Sequence, residues 1–115
     1  MNPYPFKLGQ NDGEYSIQAD LMDEDIYEVY YTFFQKHKYE GNGYCWEGHI
    51  VQILEKTDPE LLDQLEFDPE AGAFFAYAES GEAQRKFVEI LSPIFSNFEL
   101  LADYVQAANR SRIDD

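Results

Sequence analysis

The spacing of apolar residues in this chain changes from two to about 3.6 and then repeats the change, so the chain must alternate hairpins with helices. In residues 4–21, Phe6 and Leu8 alternate with polar neighbours. Tyr15, Ile17, Ala19 and Leu21 do the same after Asn11-Asp12-Gly13, which offers the positive-φ positions of a tight turn. From Asp23 to Lys38 the period is helical, with Ile26, Val29, Tyr30, Phe33 and His37 on one face. The acidic first turn, Asp23-Glu24-Asp25, suits the helix dipole. A second stripe, Tyr27, Tyr31 and Phe34, lies beside that face and makes the apolar surface wider than one-sided packing requires.

The same alternation then recurs. The stretch GNGYCWEG, residues 41–48, leads into a helix with Trp46, His49, Ile50, Ile53 and Leu54 on one face, and Gly41 is placed to end the preceding helix in the left-handed region. Thr57-Asp58-Pro59 supplies a cap and a first-turn proline for a short helix through Leu65. Leu65 and Phe67, the turn residues Pro69-Glu70-Ala71-Gly72, and Phe74 to Tyr77 read as a second hairpin. Ser80 caps a helix carrying Phe87, Ile90, Leu91 and Ile94, which Pro93 should bend or end. Ser96 with Glu99 forms a capping box for a last helix carrying Phe98, Leu101, Tyr104 and Val105. The ββαα-ββαα order predicts an α+β fold, an antiparallel sheet of about four strands with helices packed mainly on one face. Residues 1–108 read as one domain and residues 109–115, NRSRIDD, as a frayed tail.

Charge narrows the class of partner. With 23 Asp+Glu against 8 Lys+Arg, the formal net charge is −15. Such a field repels nucleic acid and anionic lipid and speeds encounter with basic proteins. No window approaches the roughly 18 apolar residues of a membrane span, no signal peptide is visible, and one cysteine cannot close an intrachain disulfide. A soluble cytoplasmic protein is expected.

The search for chemistry finds no constellation. GNGYCWEG has neither a P-loop lysine nor G-x-G-x-x-G spacing. The soft or imidazole donors are Cys45, His37 and His49 alone, too few for a convincing metal site, and Glu40 and Glu47 would raise rather than lower a nearby thiol pKa. No catalytic residue, metal or cofactor is assigned. Within the loop, Gly41, Gly43 and Trp46 read as a structural connector. Tyr39, Glu40, Asn42, Tyr44 and Glu47 remain as polar or amphipathic groups beside a rigid aromatic. With the Asp23, Glu24 and Asp25 cluster they make the candidate partner-binding surface.

At this point the sequence resembles a known family. YEGNGYCWEG, a following helix and LEFDPEAGAFFAY together are similar, over nearly the whole chain, to immunity protein family fifty-one of bacterial polymorphic toxin systems. The motifs are Gly41-Asn42-Gly43-Tyr44-Cys45-Trp46 and Glu66 to Phe74. Cys45 stands where the family pattern is variable or acidic, which weakens any catalytic or metal role for it. The resemblance implies a small acidic α+β protein that is not an enzyme. It implies binding and neutralisation of a cognate toxin domain in the cytoplasm, a basic nuclease being the toxin such a surface would suit, by a monomer or weak homodimer. The competing reading is an acidic interaction or dimerising adaptor module without toxin inhibition, working through the Tyr27/Tyr31/Phe34 stripe. A small hydrolase or metal enzyme using Cys45, His37 or His49 is a third.

Overall fold

The computed structural model describes residues 2–114. Strands β1 (Lys7–Asn11) and β2 (Glu14–Asp20) form the first hairpin, closed by Asp12 and Gly13. Both turn residues have positive φ, 51° and 83°, as a two-residue type I′ turn requires. Strands β3 (Leu65–Phe67) and β4 (Ala73–Ala78) form the second, and the antiparallel sheet has the order β1-β2-β4-β3. Its centre is fixed by the pairs Ile17↔Ala76 and Ala19↔Phe74, buried residues facing the same layer. The α+β architecture and the two hairpins are as the alternating periods predict.

The first helical stretch is not a plain α-helix. It runs as α1 (Glu24–Ile26), a π-helical turn at Tyr27–Tyr31, and α2 (Thr32–Lys36). A π turn absorbs one extra residue, and at 3.6 residues per turn this rotates everything downstream by about 100°. The consequence corrects the expected faces: Phe34 leaves the tyrosine stripe and becomes fully buried, while Val29 is exposed. The helix ends on Lys38, at φ 69°, with Lys38 N–H donating to Gln35 O and Tyr39 N–H to Phe34 O. That is a Schellman closure. Gly41, expected to end this helix, instead bends the connector at φ 77°.

Helix α3 (Gly43–Thr57) crosses the sheet, a 3₁₀ turn (Pro59–Gln64) returns the chain to β3, and α4 (Gly81–Phe95) and α5 (Phe98–Ala107) complete the layer. Ser80 caps α4, as predicted, by accepting from Ala83 N–H at 3.1 Å. Pro93 does not stop α4, which continues to Phe95. Ser96 therefore closes that helix, and Asn97 rather than Ser96 caps α5, accepting from Leu100 N–H at 3.2 Å. The core is ring-rich. Phe6 sits among Trp46, Phe74, Phe87 and Phe95 with centroids 5.1–6.0 Å away and planes 62–85° apart, the edge-to-face arrangement that ring quadrupoles favour.

The segment after α5 corrects the expected frayed tail, apart from Asp115, which lies outside the described residues. Asn109 N–H donates to Gln52 Oε1 and Gln52 Nε2 donates to Asn109 O. Arg112 grips Glu55 through two hydrogen bonds, and Ile113 is buried against Gly48. The polar look of NRSRIDD conceals one apolar anchor, one backbone pairing with Gln52 and one side chain, Arg112, with its partner on α3.

Candidate functional site

The two motif segments meet. In the Glu70–Ala73 turn, Glu70 N–H donates to Ala73 O at 2.8 Å, which presents the Ala71 and Gly72 carbonyls outward. Ala71 O accepts from Gly43 N–H at 3.3 Å and Gly72 O accepts from Leu21 N–H at 3.1 Å. One tight turn thus holds both the start of α3 and the end of the first hairpin. Gly43 must be glycine, because a Cβ there would collide with the backbone oxygens of Glu70 and Ala73. Asn42 caps α3, its Oδ1 accepting from Cys45 N–H at 2.9 Å. Trp46, fully buried one turn on, anchors the junction.

Beside this junction is an open cleft of about 440 Å³. Its wall is the π turn, where Tyr27 and Tyr31 stack with centroids 4.7 Å apart and planes 13° apart. Both rings stay open to solvent, 46% and 40% exposed. Met22, 75% exposed, lies over Gly72 on the cleft's border, and Tyr30 and Trp46 form the floor. Tyr30 donates its hydroxyl to Phe95 O at 2.6 Å, and burial, with Tyr4 nearby, pushes its pKa far up. Glu40 is the single charged residue lining the cleft among the described residues. A second groove, of about 280 Å³, joins it at Ile26 and is bordered by Asp20, Asp23, Asp25 and Tyr4.

The sequence-predicted residues divide between these surroundings. Glu40 and Asn42 line the cleft, while Asp23 and Asp25 line the groove. Asp23 also caps α1 by accepting from Asp25 N–H, and Glu24 is exposed beside them. Tyr44 is exposed in the first turn of α3. Two residues are elsewhere. Tyr39 is 5% exposed, packed edge-on to His49 and covered by the Arg110 guanidinium 4.1 Å above its ring, so it cannot present an open face. Glu47 is half-buried near the C-terminal segment, and burial first, then Asp114, raises its pKa. The sequence reading missed Met22 and Gly72 as neighbours of the site. Their signal was the second motif itself, whose glycine reads as turn chemistry until the turn is seen to seat the cleft's rim.

Cys45 and His49 are both buried on α3, and among the described residues no three His, Cys, Asp or Glu side chains converge as a metal site would need. His49 lies between Phe34 and Tyr39. Burial, then the nearby His37 and Arg110 charges, lower its pKa to about 4. It is the neutral filler of a ring stack. No helix among the described residues is long and apolar enough to cross a membrane.

Fold and site together describe a small, acidic α+β domain with its two motif segments locked at one rim. A family model described as Immunity protein 51 matches residues 6–110, and the chain belongs to that family. No curated protein and no solved structure gives a significant match.

Proposed function

We propose that this protein neutralises a cognate toxin domain by binding it through the face that carries the tyrosine-walled cleft and the adjoining acidic groove. Family membership supports toxin immunity as the general role. The observation that carries the finer reading is the Tyr27–Tyr31 stack, two large rings left open on a chain that buries most of its other aromatics. Rings of this kind bring contact area at low entropic cost and are typical centres of binding hot spots. Around them Asp23, Glu24, Asp25, Glu28 and Glu40 supply the field for rapid capture of a basic partner, such as a nuclease whose groove is shaped for phosphates. Tyr44 and Asn42 extend the face toward α3, and the protein acts in the cytoplasm of the toxin-producing cell, as a monomer or weak homodimer.

The test is co-expression with a toxin domain encoded beside it. Wild-type protein restores growth, and Tyr27→Ala with Tyr31→Ala abolishes rescue while the circular dichroism spectrum is retained. Rescue unaffected by the double substitution would move the binding face elsewhere.

A further inference from the structure

The cleft has a chemistry more specific than an aromatic patch. Tyr27 and Tyr31 are stacked nearly parallel, so each ring has one face covered by the other, and both residues remain partly open to solvent. Among the described residues no Lys or Arg lines the cleft, and its single charged lining residue is Glu40. The adjoining groove adds Asp20, Asp23 and Asp25 against one lysine, Lys7. Two exposed rings and an acidic residue lining one cleft, inside a negative field, match a planar cation, which stacks on a ring while its N–H groups face a carboxylate. The molecule already uses half of this arrangement internally, where the Arg110 guanidinium lies 4.1 Å over the Tyr39 ring.

We propose that the cleft is a seat for a guanidinium side chain of the partner, an arginine presented on a loop of the toxin domain and held between the tyrosine pair and Glu40. This rests on the toxin-neutralising reading for the identity of the partner, but the seat itself is a property of this chain. At about 440 Å³ the cleft has the dimensions of a small-ligand pocket, large enough for one side chain with part of its backbone. Arginine suits it better than lysine because the planar, weakly hydrated guanidinium loses less on leaving water and stacks flat.

The seat can be tested without the toxin. N-acetyl-arginine amide is titrated into the labelled protein and followed by NMR, with the isosteric but neutral N-acetyl-citrulline amide as control. Saturable shifts at Tyr27, Tyr31, Gly41 and Gly72 are expected, with the citrulline compound binding roughly tenfold more weakly. Tyr27→Leu with Tyr31→Leu removes the response, and Glu40→Gln weakens it several-fold. Equal responses to the two compounds, shifts centred on another face, or no saturable shift each overturn the proposal. Co-expression rescue, measured in parallel, separates it from the reading beneath it. Rescue with a silent cleft removes the arginine seat and keeps immunity, whereas a responsive cleft without rescue from any neighbouring toxin keeps the seat and removes neutralisation.

Discussion

The chain builds two aromatic clusters from similar residues and arranges them in opposite ways. Around Phe6 the rings meet edge-to-face, are enclosed on all sides, and draw on β4, α3 and α4. On the π turn Tyr27 and Tyr31 lie flat on each other, come from one helical turn, and remain open to water. The first arrangement welds elements together. The second gives up enclosure, which is the condition for a surface that another molecule completes. The difference shows that ring content alone does not report function; the decisive quantity is how many elements each ring touches.

Substitution should separate the clusters. Trp46→Ala removes the largest fully buried side chain and is expected to cost about 4 kcal/mol, read from urea unfolding; a loss under about 1 kcal/mol would mean that Trp46 is not a keystone of the enclosed cluster. The pH profile gives the next largest effect. His49 has a native pKa of about 4 against an ordinary value of 6.5, so the unfolded state takes up the proton first as pH falls. Stability is full above pH 6.5 and declines between 6.5 and 4, by on the order of 3 kcal/mol relative to a non-titrating variant such as His49→Phe. Matching urea midpoints for the two proteins across that range would remove this contribution.

The open cluster should behave differently. Alanine at Tyr27 and Tyr31 together is expected to weaken toxin binding by roughly 2 kcal/mol by calorimetry, while unfolding stability changes by less than about 1 kcal/mol. A reversal of those two magnitudes would assign the stack to the scaffold. Smallest is Tyr44→Ala, with stability kept within about 0.5 kcal/mol. Its effect on affinity marks whether the contact face reaches the first turn of α3.

Much of the fold was legible because period and turn chemistry are local. Asp12-Gly13, Ser80 and Pro59 did what their chemistry dictates, and the alternation of Ile17 with Ala19 and of Phe74 with Ala76 set the inward face of the sheet. Tertiary contacts decided the rest. Tyr39 looks like a surface residue until Arg110, 71 positions later, covers it, and NRSRIDD looks solvated until Ile113 finds Gly48. Of the candidate site, Glu40 and Asn42 line the cleft and Asp23 and Asp25 the adjoining groove, all four named from the loop and the acidic first turn. Met22 and Gly72 were not named, because they join it through the Gly72–Leu21 hydrogen bond, a pairing between segments fifty residues apart. The π turn had no signature in the apolar pattern, and it moved Phe34 from the stripe to the interior.

That surplus residue acts as a swivel. Downstream of it, Phe33 and Phe34 answer to the interior; at its two ends, Tyr27 and Tyr31 answer to whatever approaches from outside. A strict helix would couple both assignments through one fixed rotation, so altering the outer rings would disturb the inner ones. With the swivel, positions 27 and 31 are free to be rewritten toward a different target while the hydrophobic interior keeps its register, and a new specificity can be installed without refolding the scaffold.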